Sequence, residues 1–317
     1  MKRRTFLASP AVLALACRRK PQKTVAVIPK ATSHAFWIAV QAGCTAAAQE
    51  FNLDLLWNGP AVETDYARQI QIVDAMVVRH VDGLAVAATE RGALLAPVVR
   101  AIDAGIPVTV FDSGLDTERA MSQVITDNVE VGRLAGRKLG QLMKGTGKTA
   151  ILMNAPGSAS SLDRESGFRE VIAKEFPGIS IAAEQFGQAD RARARSAAEN
   201  ILAANRDLGG FFASTELSAV GVSLAIKGRD LGGKVKFVAV DANEVLLEDM
   251  RKGVVDALIV QDPFKMGYET VKTLATKLAG GVPPKKVELH ARVIAATDLS
   301  DPEVIKLLSP DIEKYLR

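Results

Sequence analysis

A chain of 317 residues, 48% hydrophobic and 24% charged, is long enough for about two domains and has the make-up of an ordinary soluble globular protein. Its formal net charge is +4, and three of those positives, Lys2, Arg3 and Arg4, sit in an N-terminal segment of export type, so the remainder is close to neutral, near +1. That balance excludes a nucleic-acid surface, which needs clustered basic charge, and two cysteines, Cys17 and Cys44, exclude a disulfide framework.

The first 17 residues read as a signal peptide. Lys2-Arg3-Arg4 is a basic start, Thr5 to Ala16 is an apolar run broken only by Ser9 and Pro10, and Ala14-Leu15-Ala16-Cys17 closes it. The run is too short for a membrane span, and no other stretch reaches the roughly 18 apolar residues that a span needs. Arg3-Arg4-Thr5-Phe6-Leu7 resembles a twin-arginine export motif. Leu13 to Cys17 resembles a lipobox, in which Cys17 would be lipidated, although Ala14 stands where lipoboxes prefer Leu. The plainer alternative is a simple cleavable signal.

From Thr24 the chain alternates short β-branched apolar runs with amphipathic segments, at intervals that suit βαβ units. Strands are expected at Thr24 to Ile28, Leu53 to Trp57, Gly83 to Ala87 and Pro107 to Phe111. The helices between them are expected at His34 to Phe51, Thr64 to Arg79 (with Thr64 as N-cap) and Gly92 to Ala104. Ile125-Thr126-Asp127-Asn128 reads as a crossing, after which the pattern restarts. Helices are expected at Val129 to Met143, Ser160 to Glu175, Arg191 to Ala204, Leu217 to Lys227, Glu244 to Lys252 and Lys265 to Ala279. Strands are expected at Thr149 to Met153, Ile179 to Gln185, Gly210 to Ala213, Val235 to Val240 and Ala257 to Val260. After Pro283-Pro284 come an extended run, Val287 to Ala295, and a short tail. The fold class is α/β, with two Rossmann-like lobes built on parallel sheets. No Gly/Ser linker separates them, so short crossings must join them.

Several motifs fail. Gly145-Thr146-Gly147-Lys148-Thr149 suggests a phosphate loop, but Leu142 stands where its first Gly belongs and the segment precedes a strand; it reads as a helix-to-strand turn. There is no G-x-S-x-G around Ser113, and His34, His80 and His290 have no metal-ligand spacing. No catalytic residue, metal or cofactor is expected. Cys44 reads as a small buried hydrophobe.

What remains is polar groups at the ends of apolar strands, where open parallel sheets bind ligands. Val108-Thr109-Val110-Phe111 runs straight into Asp112, Ser113 and Gly114. Lys30, His34, Phe36 and Trp37 follow strand one, and Asp163-Arg164 opens a helix of the second half. Thr215 and Glu216 follow Phe211-Phe212-Ala213, Asp241 and Asn243 follow Val238-Ala239-Val240, and Gln261 and Asp262 follow Leu258-Ile259-Val260. Carboxylates, an amide and a guanidinium offer acceptors and forked donors, and an aromatic pair offers a ring face. That inventory suits an uncharged, polyhydroxylated ligand. Each residue has a plainer alternative. Asp112 and Asp241 would serve as N-caps, Arg164 as a surface charge, Gln261 as a hinge hydrogen bond, and Phe36 and Trp37 as core.

In these residues the chain resembles the ribose/galactose-type periplasmic sugar-binding proteins, the solute receptors of ABC importers. The likeness runs from about Thr24 to Ala295. It is carried by Phe36-Trp37, Val110 to Gly114, Thr126-Asp127-Asn128 with Gly132 and Gly136, Arg164 to Phe168, Val240 to Asn243 and Val260 to Pro263. The resemblance implies the periplasmic binding protein type I fold. Its lobes would be 22–126 plus 262–292 and 127–261 plus 293–317. The three-crossing hinge would lie near Thr126-Asp127, Val260-Gln261 and Arg292-Val293. It implies ligand contacts from Phe36, Trp37, Asp112, Arg164, Asp241 and Gln261. It also marks departures: Ser113 where ribose binders carry Arg, His34 and Thr215 where they carry Asn, and Ala189 in place of a ring-stacking Phe. A sugar other than ribose, or a sugar alcohol, is the expected ligand, delivered by a monomer to an ABC permease from the periplasm or cell-envelope surface.

Three other classes share parts of this pattern. A LacI-type regulator core would need some sixty residues of DNA-binding headpiece, and only about twenty precede strand one. A receptor that presents its ligand to a sensor kinase or chemoreceptor would look the same in sequence. An α/β enzyme would need catalytic groups that no motif supplies.

Overall fold

A computed structural model describes residues 22–316. The expected signal peptide, the twin-arginine-like motif and Cys17 lie outside the described residues. In chain order the first part is β1 Lys23–Ile28, α1 Ala35–Glu50, β2 Leu53–Trp57, α2 Tyr66–Val78, β3 Gly83–Val86, α3 Leu95–Asp103, β4 Val108–Phe111 and β5 Ser122–Thr126. The second is α4 Asn128–Leu142, β6 Thr146–Met153, α5 Ala159–Glu175, β7 Gly178–Phe186, α6 Arg191–Ala204, β8 Leu208–Ala213, α7 Glu216–Lys227, β9 Lys236–Val240, α8 Glu244–Arg251 and β10 Ala257–Val260. The chain closes with α9 Pro263–Leu278, β11 Lys286–Leu289, β12 Arg292–Ile294 and α10 Pro302–Leu308.

The strands form two six-stranded sheets, ordered β11-β5-β4-β3-β1-β2 and β12-β10-β9-β8-β6-β7. The two orders are equivalent strand for strand, so β4 corresponds to β9 and β5 to β10. All pairings are parallel except β12 on β10, where Val260 faces Arg292. Central strands such as β3, β4 and β10 are buried along their whole length, as their continuous apolar runs require. Helices cover both faces of each sheet, which makes two doubly wound lobes. Three segments pass between the sheets: Asp127 ahead of α4, Gln261-Asp262 ahead of α9, and His290-Ala291 between β11 and β12. The third passage lies just ahead of the Arg292-Val293 position expected from sequence, because Arg292 is already paired in the second sheet.

Five local readings are corrected. Asp65, not Thr64, caps α2; its carboxylate accepts from the Arg68 amide at 2.9 Å. Helix α3 begins at Leu95, after turns over Gly92 to Leu94, rather than at Gly92. The Gly145 to Thr149 turn is already strand from Thr146. Ile125-Thr126 ends β5 before the chain crosses, and the run Val287 to Ala295 is two strands in different sheets. The tail contains α10, which buries Val304.

Each lobe has a helix crossing held at backbone contact by a pair of glycines. A Cβ placed at Gly43 of α1 would stand 1.9 Å from the Phe264 carbonyl oxygen, and one at Gly267 of α9 would stand 2.0 Å from that of Val40. In the other lobe a Cβ at Gly132 of α4 would stand 1.9 Å from the Arg164 carbonyl oxygen, and one at Gly167 of α5 would stand 2.1 Å from that of Val129. Only glycine lets these backbones touch. Cys44 is buried in the first crossing, its Sγ 3.4 Å from the Gly267 carbonyl, and burial pushes its thiol pKa up. Among the described residues no helix is long and apolar enough to cross a membrane.

Candidate functional site

The carboxyl ends of both sheets face each other across a cleft. Asp112 leaves β4 and Asp241 leaves β9, the equivalent strands of the two lobes. Both residues are left-handed, with φ of 57° and 70°. Both amides bond to the next strand over, Asp112 to the Val124 carbonyl and Asp241 to the Ile259 carbonyl, each at 3.0 Å. A non-glycine residue pays for that conformation, so two such residues at equivalent places point to function. Neither is a helix cap; Asn243 caps α8, accepting from the Leu246 amide at 2.9 Å.

Between them lies a cavity of about 30 Å³, roughly the room of one water. Of the residues predicted from sequence, His34, Phe36, Trp37, Asp112, Arg164, Thr215, Asp241 and Gln261 line it. Ser113 is fully buried but outside the lining; its hydroxyl accepts from the Ser160 amide of the other lobe at 3.2 Å. Asp163 is exposed on α5, and Asp262 caps α9, accepting from the Lys265 amide at 2.9 Å. Ala189 does not line the cavity.

The charges in the wall are paired. Lys30 Nζ stands 2.7 Å from Asp112 and also reaches Ser158 and Ser160 across the cleft at 3.2 and 2.9 Å. Arg164 Nη1 stands 3.8 Å from Asp241 and donates to the Ser214 carbonyl at 3.1 Å, while Nε donates to the Asn128 side-chain oxygen at 2.8 Å. His34 Nδ1 is 3.7 Å from Glu63, and Arg191 is 3.6 Å from Glu216. Gln261 donates to Asp241 at 2.7 Å, while its own Oε1 is buried with no partner among the described residues.

Glu63 and Asn154 are lining residues that the strand-end rule did not select. Glu63 accepts from Trp37 Nε1 at 2.9 Å within its lobe and from Asn154 Nδ2 at 3.1 Å across the cleft. Asn154 directly follows β6 and was legible as a polar strand end. Glu63 sits in the loop after β2, six residues beyond the strand, where no sequence pattern marks it. Trp37 is 2% exposed and packs edge-on against Phe36 and Phe111, with ring centroids 5.1 and 6.2 Å apart. It therefore serves both core and cavity wall.

Burial pushes the Glu63 carboxyl up, but the neighbouring His34, Lys30 and Trp37 outweigh it and bring the pKa down to about 2. Burial pushes Asp241 up to about 6, aided by the carboxylates of Glu216 and Asp112 and opposed by Arg164 and Gln261. Burial likewise pushes Glu165, beneath the cavity, up to about 7 against its hydrogen bonds from Ser214 and the Asn154 amide. A carboxyl whose folded pKa is raised gives stability that is full below its unfolded pKa, near 4, and is lost as pH rises through the folded value. The ligand-free protein should therefore lose several degrees of Tm between about pH 5 and pH 8, at roughly 2–4 °C per kcal/mol. Glu165→Gln should flatten the upper part of that fall in scanning calorimetry. A Tm that rises over this range would refute the assignment. Glu63 acts in the opposite sense, its contribution being lost on acidification from about 4.5 toward 2.

Two doubly wound lobes clasping a polar cavity at the carboxyl ends of their sheets are the architecture of a two-lobed solute-binding protein. The family profile described as a periplasmic binding protein domain matches residues 25–281, and the chain belongs to that family. It is similar to a D-ribose/D-allose-binding protein of Pseudomonas aeruginosa, 28% identical over 272 residues that cover 83% of this chain and 85% of that one. It is similar to the solved structure of a carbohydrate transporter solute binding protein from Agrobacterium radiobacter in complex with D-arabinose. That match has a TM-score of 0.89 and 29% identity, covering 91% of this chain and 99% of that one. It is also similar to an ABC transporter solute binding protein from Agrobacterium vitis with bound D-fucose, at TM-score 0.88 and 31% identity, covering 90% of this chain and 100% of that one.

Proposed function

We propose that this protein captures a neutral sugar or sugar alcohol between its lobes and delivers it to the permease of an ABC importer. The observation that carries the reading is the pairing of charge in the cavity wall. Each lining carboxylate has a basic side chain within 4 Å: Asp112 with Lys30, Asp241 with Arg164, Glu63 with His34 and Glu216 with Arg191. With three of its four carboxylates ion-paired and Glu63 tied to Trp37 and Asn154, the wall offers an ionic ligand little unpartnered charge, while its carboxylates and Gln261 Oε1 remain acceptors for hydroxyl protons. Phe36 and Trp37 offer the ring face that a pyranose or furanose presents its C–H groups to. The relatives' sugar names support the class without naming this chain's own sugar.

The cavity of about 30 Å³ is far below the roughly 300 Å³ of small-molecule sites, so ligand enters when the lobes part. The lobes are 22–126 plus 262–289 and 127–261 plus 292–316, hinged at the three passages between sheets. Ligand favours closure because Asp112 belongs to one lobe and Arg164 with Asp241 to the other. The protein is exported by its first 17 residues, works as a monomer in the periplasm or at the envelope surface, and is tethered to the membrane through lipidated Cys17. Presentation of the bound solute to a sensor kinase or chemoreceptor is the second reading, with the same ligand site.

The test is a thermal-shift panel of pentoses, hexoses and sugar alcohols, with amino acids and nucleosides as contrasts. A ligand at a hundred times its Kd adds about 2.7 kcal/mol to stability. A sugar or polyol should raise Tm by several degrees, and the shift should vanish in Asp112→Asn and Asp241→Asn. A shift with amino acids or nucleosides alone would overturn the ligand class. Radiolabelled palmitate incorporation that persists in Cys17→Ser would overturn the anchor.

A further inference from the structure

Helices α2, α4, α6, α8, α9 and α10 carry their own N-caps, each an Asp or Asn whose side chain accepts from an amide of the first turn. Helices α1, α3, α5 and α7 show no side-chain cap of their own. For two of these the acceptor comes from the opposite lobe. Glu216 of α7 accepts from the amide of Phe36, the second residue of α1, at 3.4 Å. Ser113, just after β4, accepts from the amide of Ser160, the second residue of α5, at 3.2 Å. The exchange is reciprocal, because α1 follows β1 and α5 follows β6, the equivalent strands of the two sheets.

Ser158 stands at the cap position of α5, but its hydroxyl is engaged elsewhere. It accepts from Lys30 Nζ of the other lobe at 3.2 Å and shares a hydrogen bond with Ser161 Oγ at 3.2 Å. Lys30 also donates to Ser160 Oγ at 2.9 Å, and the Arg91 amide donates to the Gly157 carbonyl at 3.1 Å. The start of α5 is thus bonded to the first lobe from Gly157 to Ser160.

We propose that Ser113 and Glu216 are closure residues, each supplying the missing cap of a helix in the opposite lobe when the cleft shuts. Ser113 then tunes affinity without touching ligand, since it does not line the cavity. The inference rests on the reading that closing lobes hold the ligand, and it names what the lobes gain from each other. First-turn amides have no partner within their own helix. With the lobes apart, those of Phe36 and Ser160 turn to water. In the closed cleft Ser160 is 3% exposed and Ser113 0%. An amide stranded there would oppose closure, and the Ser113 hydroxyl removes that cost. Glu216 adds charge of the sign that a helix N-terminus favours. Arg164 lies one turn after Ser160 on α5, so the same bond fixes how that guanidinium meets the ligand.

The experiment is calorimetric titration and stopped-flow dissociation with D-ribose, D-allose, D-arabinose and D-fucose, together with amide exchange followed by NMR, on wild type and Ser113→Ala. Glu216 lines the cavity, so Ser113 gives the cleaner variant. Loss of one helix cap should weaken every sugar that binds by about fivefold and by a common factor, through faster release. The Ser160 amide should exchange faster in Ser113→Ala than in wild type, with or without sugar. A loss that differs widely between sugars would make Ser113 a ligand contact and overturn the proposal. Unchanged affinity, or a Ser160 amide that exchanges as in wild type, overturns it too. If none of the sugars binds wild type, the sugar reading fails and amide exchange alone decides the cap.

Discussion

Arg164→Leu should lower stability by about 3–5 kcal/mol, the cost of leaving a buried ionic partner alone. At roughly 2–4 °C per kcal/mol that is a fall in Tm of about 6–20 °C. Arg164 is 3% exposed, and its loss strands three groups at once: the Asn128 carbonyl oxygen, the Ser214 backbone carbonyl and the Asp241 carboxylate. Asp241 already has its pKa raised to about 6 with the guanidinium in place, so the variant should raise it further. Adding Asp241→Asn should recover part of the stability, since the stranded charge is then gone. Arg164→Lys should not, because an ammonium cannot hold Asn128, Ser214 and Asp241 from one planar fork. Calorimetry on the four proteins checks this. A double variant no more stable than Arg164→Leu would show that the two residues are energetically independent.

Gly132→Ala should cost about 3 kcal/mol or more and should also weaken ligand binding. The new methyl would overlap the Arg164 carbonyl oxygen at 1.9 Å, so α4 and α5 must part, and α5 carries Arg164. Gly136→Ala, one turn along the same helix, meets the Val171 side chain at 3.0 Å and should cost much less, with affinity unchanged. Chemical denaturation and titration of both variants separate the two effects. Equal losses in the two variants would mean that the close crossing does not position the site.

Most of the fold was legible because its strands are buried on both faces and read as unbroken apolar runs. Helix α6 and strand β10 fall where the periodicity places them. Strand β5 was not legible as one: Ser-Gln-Val-Ile-Thr has polar ends and alternating burial, and it became a strand by lying between β4 and β11. The break at His290-Ala291 was invisible for a related reason. Two short extended segments in a row look like one, and only their partners, β5 and β10, assign them to different sheets. In the site, the rule of polar strand ends found residues that a single strand delivers, such as Asp112, Asp241 and Gln261. It had no purchase on Glu63, which reaches the cavity from within a loop and is held there by Trp37 and Asn154. Ser113 obeyed the rule and still fell outside the cavity, because its hydroxyl faces the amide of Ser160.

The three passages between sheets also set an order of assembly. The second sheet's parallel strands β6 to β10, and the helices between them, come from one uninterrupted stretch of chain. The first sheet is different. Its face around Val25, Val27, Val40, Ala85 and Phe111 is covered by Met266, Val271 and Leu274 of α9, and its edge is completed by β11, both some two hundred residues or more after β1. Contacts that distant form late, since the intervening chain must be ordered or looped out first. A chain delivered from its N-terminus therefore has all the parallel strands of its second sheet while the first still shows a bare apolar face. A fragment ending near residue 261 would hold five of the six strands of each sheet, but the first lobe would lack the sixteen-residue α9 that covers its face, while the second would lack only the short α10 beside its missing edge strand.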